Sequence, residues 1–353
     1  MFKYMPIRLT LPITICTYVL LNLIQTVAVQ AEWFPLESGV GGTSVPVSYQ
    51  DNIILKGSVE ALAVAQDGTL YAGGQFTTAG GVKANNVAKW NGSKWSALGS
   101  GMDFGVNALI VAPDGTLYAA GATSGNVGKW DGSIWSVIPS KGSVRALAIA
   151  SDSTLYAAGS LGGNESIYKW NGKAWSSLGM GMNNACLAVA PDGTLYAAGL
   201  LVGEKNSNIY KWNGTKWVVL GTGMGFKTNV SSLMVAPDGT LFVGGDFTDI
   251  GGVKAKNVGK WDGSNWSALG PGIEVKVYTM ALASDGTLYA GGFSMKGLIE
   301  QWDGSNWSPL GSGVDENVFS LVVSSDGTLY AGGWFTQAAG KKVNYIAGWK
   351  RVK

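Results

Sequence analysis

Residues 89–102 read KWNGSKWSALGSGM. Two tryptophans stand five positions apart around an Asn-Gly step. Asn-Gly tolerates the positive φ angles of a tight hairpin turn, so the stretch predicts two short antiparallel strands. The line recurs with the pairs Trp90/Trp95, Trp130/Trp135, Trp170/Trp175, Trp212/Trp217, Trp261/Trp266 and Trp302/Trp307. A second anchor lies upstream of each pair. It is Asp-Gly-Thr before Leu-Tyr or Leu-Phe, starting at Asp67, Asp114, Asp152 (here Asp-Ser-Thr), Asp192, Asp238, Asp285 and Asp326. An apolar run precedes each of these turns, as in VEALAVA from Val59 to Ala65. Each unit therefore holds four strand-sized segments in about 40 residues, which is one propeller blade.

Trp349 opens a seventh pair, and its second half stands at the other end of the chain. EWFPLESGV at 32–40 matches NWSPLGSGV at 306–314, with Trp33 in the second-tryptophan position. A linear solenoid has no use for a split unit. A ring does, because closure removes exposed sheet edges. The sequence thus predicts an all-β fold, a seven-bladed β-propeller of four-stranded antiparallel blades. Its seventh blade is shared between 318–353 and 32–40, in a single domain over 32–353.

The blade text resembles a known type. LYAGGQF…VAKWNGSKWSALGSGM resembles kelch-type repeats and the Rax2-like and bacterial secreted propeller repeats. The resemblance runs from Glu32 to the C-terminus and implies the fold. It leaves the function open. Units two to four depart from it, with Ala120-Gly121, Ala158-Gly159 and Ala198-Gly199 in place of double glycine. The copper enzyme galactose oxidase, which is kelch-like, needs histidine ligands that this chain lacks.

The first 31 residues differ from the rest. Lys3 and Arg8 precede an apolar run from Leu9 to Ile24, and Val29-Gln30-Ala31 offers small side chains to a signal peptidase. This is the layout of a secretory signal, with an uncleaved anchor as the alternative. The expected location is secreted or extracytoplasmic, in a periplasm or at a cell surface. No membrane insertion is expected once the signal is removed. Lys3 and Arg8 are two of 25 basic residues, and 23 acids balance the remainder, so the mature chain is neutral. Nothing in it attracts nucleic acid at long range. Only Cys186 remains beyond the signal, so no internal disulfide forms. The absence of histidine excludes Ser-His-Asp triads, Cys-His pairs and imidazole metal sites. No cofactor, metal or catalytic residue is expected, and a monomer is.

A residue repeated in every unit solves a problem common to every unit. The paired tryptophans are read as packing, and the Asp-Gly-Thr steps as turn chemistry. The double glycines are read as points of close backbone approach or bulging. Sequons begin at Asn91, Asn164, Asn213, Asn229, Asn265 and Asn306, and four of these follow from the turn code itself.

Function is expected where the copies differ. The Asp-Gly and Asn-Gly turns share one face of a propeller, and the opposite face carries the variable loops. One column opens the first strand of each unit: Glu60, Asn107, Arg145, Ala185, Ser231, Tyr278 and Phe319. It is expected at the channel mouth on the variable-loop face. Trp334, the one tryptophan outside the pairs, and Asp246, its counterpart in unit five, complete the candidates. Three readings stand. The first is a non-catalytic module binding a protein or glycan. The second is a lectin. The third is a glycosidase built on a carboxylate pair, for which Asp246/Asp249 and Asp315/Glu316 are the available acids.

Overall fold

The computed structural model describes residues 31–42, 47–49, 52–54, 57–121, 125–161, 164–204, 206–221, 224, 228–293 and 299–351. The expected signal lies outside these apart from Ala31. Among the described residues no helix is long and apolar enough to cross a membrane.

Among the described residues, seven four-stranded antiparallel sheets form the body of the fold. The first runs Ser58–Val64, Leu70–Gln75, Val87–Trp90 and Trp95–Ala97, in sequence order. Five more repeat this order. The last sheet contains Val318–Val323, Leu329–Gly333 and Ile346–Arg351, and its outer strand is Ala31–Pro35 from the other end of the chain. There Trp33 faces Trp349. The first strands of consecutive sheets pack side by side. Val318–Val323 packs in turn on Ser58–Val64, which closes the circle.

Local sequence explains the packing. In a strand, successive side chains point to opposite faces. The Leu-Tyr step uses this alternation to serve two interfaces. Leu70 is buried against the seventh sheet's Tyr330 and Ile346, while Tyr71 is buried against Val106 and Leu117 of the second unit. Leu155 and Tyr156 divide in the same way between their two neighbours. The core therefore lies between sheets, and a fully buried side chain of this size contributes about 1.5–3 kcal/mol.

The second tryptophan of each pair links one unit to the unit before it. Its indole N–H donates to the leucine carbonyl there: Trp95 to Leu36 at 2.9 Å, Trp135 to Leu98 at 2.7 Å, Trp217 to Leu178 at 3.1 Å, Trp266 to Leu220 at 3.5 Å and Trp307 to Leu269 at 2.9 Å. Trp33 completes the series, donating to Leu310 at 3.3 Å. Trp175 breaks it, since its buried N–H has no partner. The cause lies in the second unit. The residue after each accepting leucine has positive φ: Glu37, Gly99, Gly179, Gly221, Gly270 and Gly311, from 52° to 75°. In the second unit that place is Pro139, whose ring fixes φ near −65°. The strand there continues through Pro139, and no carbonyl accepts from the Trp175 N–H.

Three of the variable loops are small hairpins: Thr78–Ala79 with Val82–Lys83, Asp249–Ile250 with Val253–Lys254, and Gln337–Ala338 with Lys341–Lys342. Each covers the second tryptophan of its own blade. Trp95, Trp266 and Trp33 are buried, whereas Trp135, Trp175, Trp217 and Trp307, in blades with no such hairpin among the described residues, are half-buried. The cover is tight. A Cβ on Gly251 would stand 2.1 Å from the Trp266 ring. Length variation in these loops is therefore partly structural.

Candidate functional site

The column expected to open each first strand lies one to three residues inside it, at a β-bulge, in six of the seven sheets. The register between first and second strands shifts at Glu60, Arg145, Ser231, Tyr278 and Phe319, and across Asn184 and Ala185 in the fourth sheet. In the second sheet Asn107 stands just before the strand and its N–H donates to Ala120 at 2.9 Å. A bulge re-aims a side chain, here toward the channel mouth. The glycine before the variable loop makes the bulge possible. A Cβ on Gly74, Gly245, Gly292 or Gly333 would lie 2.0 Å from the carbonyl oxygen of Ser58, Asn229, Lys276 or Asn317 respectively. Units two to four keep this second glycine and replace only the first.

At the mouth the structure gathers five of the named residues. Glu60, Asn107, Arg145, Ser231 and Phe319 line one cavity of about 220 Å³, together with Cys186. Glu60 is the hub of the polar side. Its Oε1 accepts from the Ser58 hydroxyl at 3.0 Å and from the Gln75 amide at 3.3 Å. Its Oε2 accepts from the Asn107 amide of the next blade. Burial raises its pKa above the ordinary carboxylate value, and the donors from Ser58 and Gln75 only partly offset that. Burial pushes the Cys186 thiol up to about 12, so it is held as a neutral group rather than a nucleophile.

The sixth and seventh sheets make an aromatic side. The rings of Tyr278 and Phe319 lie 6.2 Å apart and 24° from parallel. Trp334 meets Phe319 edge-on at 5.0 Å. Tyr278 is 38% exposed, while Trp334 is half-buried and backs Phe319. Asp246 stands apart, paired at 2.8 Å with Lys276 two residues before Tyr278. Ala185 is buried.

One residue escaped the sequence reading. Phe293 follows the double glycine Gly291-Gly292, the register place of Gln75, Asp246 and Trp334, and is 43% exposed. Aligning that column through unit six would have found it. A larger cavity of about 710 Å³ lies at the other end of the first strands, beside the Asp-Gly turns. Met234, Val235, Phe242, Leu282 and Val323 make it mainly apolar.

The acids offered for catalysis have structural partners. Asp315 accepts the N–H groups of Thr336 and Gln337 at 2.8 and 2.9 Å, and the Thr336 hydroxyl at 2.8 Å. Asp249 accepts the Thr248 hydroxyl at 3.0 Å.

The chain is a β-propeller. Residues 236–258, an Asp-Gly-Thr turn through to the third strand of the same blade, match the model of a domain of unknown function (DUF5122) described as a beta-propeller. Among solved structures, the chain is similar to the WD40 repeats of RRP9. The TM-score is 0.58 with 15% identity, covering 90% of this chain and 99% of that one. At that identity the likeness carries the fold alone. No curated protein matches the sequence.

Proposed function

We propose that this protein is an exported, non-catalytic binding module that engages a protein or glycan through the channel mouth on its variable-loop face. One observation carries this reading. Glu60, Asn107, Arg145 and Phe319, one from each of four blades, line a single cavity, next to a braced and partly exposed Tyr278. Repeated positions pack the scaffold, whereas this column holds a different side chain in nearly every copy. Convergent polar groups beside an aromatic wall are the usual chemistry of a recognition site.

The non-catalytic part of the reading rests on the chain's own groups. There is no histidine, the Cys186 thiol is neutral, and Asp315 is engaged by the Thr336 and Gln337 donors. Export rests on the sequence of residues 1–31. N-terminal sequencing of the natural protein is expected to start at Glu32.

The test compares wild type with Tyr278→Ala and Arg145→Ala as baits on extracts of the source's own envelope and extracellular material, with each retained ligand identified. A ligand held by wild type and released unchanged, but missed by both variants, is the expected result. Conversion of the retained ligand in a manner lost on replacing Asp246 or Asp249 would overturn the non-catalytic reading.

A further inference from the structure

We propose that the ligand of the channel mouth is an uncharged carbohydrate, one ring of which stacks on Tyr278 and Phe319 while Glu60, Asn107 and Arg145 take its hydroxyls. This rests on the reading of that mouth as a binding site and names the chemistry of its ligand.

The charges point to a neutral ligand. The two charged residues that line the cavity, Glu60 and Arg145, have opposite signs. The nearby Asp246 and Lys276 are closed on each other. A cation drawn by Glu60 meets Arg145, and an anion drawn by Arg145 meets Glu60, so neither sign gains from both. A neutral ligand rich in hydroxyls gains from both, because each hydroxyl can donate to a carboxylate or accept from a guanidinium.

The aromatic wall supplies the other half. A sugar ring has an apolar C–H face and a rim of hydroxyls, the inverse of an aromatic wall beside polar groups. Phe319 is fixed by Trp334 edge-on, and Tyr278 lies near-parallel to Phe319. The platform is therefore set before a ligand arrives, which lowers the ordering cost of binding. The cavity, about 220 Å³, is below the roughly 300–1,000 Å³ of sites for drug-sized ligands. It suits one sugar ring, with the rest of a chain running outside. The exposed Phe293 on the same sheet as Tyr278 offers a second apolar surface for that continuation.

The experiment titrates the mature protein with neutral cello-, malto-, manno- and galacto-oligosaccharides and with sulfated and uronic-acid oligosaccharides, by calorimetry and tryptophan fluorescence. Saturable binding of at least one neutral series is expected. It should weaken tenfold or more in Tyr278→Ala and Arg145→Ala, survive in Tyr278→Phe, and leave all melting temperatures alike. Binding confined to charged oligosaccharides would overturn the inference. So would absence of glycan binding alongside a protein ligand that Phe319→Ala loses, and that result would leave the channel mouth standing as a binding site. A ligand whose affinity no mouth variant changes would overturn both readings.

Discussion

The indole N–H of Trp33 donates to the carbonyl oxygen of Leu310 at 3.3 Å across 277 positions of sequence. The same ring lies 5.4 Å from that of Trp349 and is fully buried. The chain's two ends thus complete one sheet, so losing the first strand should cost far more than losing a terminal tail. Trp33→Ala is expected to cost about 3–5 kcal/mol, as for other large core truncations, which lowers the melting temperature by about 10 °C. Deleting 32–40 should cost more, by baring the edge of Ile346–Arg351. Calorimetric melts decide this, and a truncated protein that melts like the whole would refute closure through this strand.

The orphaned Trp175 allows a paired comparison. Trp135→Phe removes a bonded N–H and leaves the Leu98 carbonyl without its donor. Trp175→Phe removes an N–H that has no partner. Both rings are half-buried and both changes trim the same atoms, so the packing loss largely cancels between them. Trp135→Phe is expected to be the more destabilising by about 1–2 kcal/mol, the net value of a hydrogen bond plus an unmet acceptor. Equal denaturant midpoints for the two variants would mean that the indole bonds add nothing to blade-to-blade stability.

The glycine opposite each bulge has no room for a methyl group. In Gly245→Ala the new Cβ would stand 2.0 Å from the Asn229 carbonyl oxygen, a backbone atom that cannot swing aside. The bulge at Ser231 would have to flatten, carrying the site column with it. We expect a loss of about 3 kcal/mol or more, in the range reserved for overpacking and backbone strain. Gly132→Ala is the control. It has positive φ but open space, and should cost about 1 kcal/mol. Urea midpoints of the two variants separate contact from conformation.

Much of this was legible in the sequence because the chain states it repeatedly. Asp67 and its six counterparts each accept the N–H two residues on, at 2.9–3.0 Å. That is a local problem with a local solution, so it leaves Asp and Thr at the same spacing each time, with Ser153 taking glycine's place once. The paired tryptophans are legible for the same reason. The orphan at Trp175 was not, because Pro139 becomes a fault only once the required carbonyl is known to lie there. The hairpins over Trp95 and Trp266 were not either, since loop length says nothing about which ring the loop will cover. The site was half legible. The bulge column could be aligned by eye, but the union of Tyr278, Phe319 and Trp334 needed the closure angle between the sixth and seventh sheets. Phe293 is hidden in the sequence because unit six lacks the phenylalanine that follows Gln75, Asp246 and Trp334 and marks their column.

Glu60 gives the pH prediction. Its pKa in the folded protein is raised, chiefly by burial, above its ordinary value of 4.5. A raised carboxylate pKa means that the folded state binds the proton more tightly than the unfolded state does. Its contribution to stability is therefore fully present below pH 4.5 and is lost as pH rises through the folded value. At neutral pH the fold carries the cost of a partly buried charge, and Glu60→Gln should remove it. The amide oxygen still accepts from Ser58, and Asn107 can turn its own carbonyl toward the new amide. The variant is expected to be the more stable at pH 7, with the gap closing as pH falls below 4.5. Denaturant midpoints of both proteins between pH 3.5 and 8 test the sign, and a gap that instead widens toward acid would mean that the donors around Glu60 outweigh its burial.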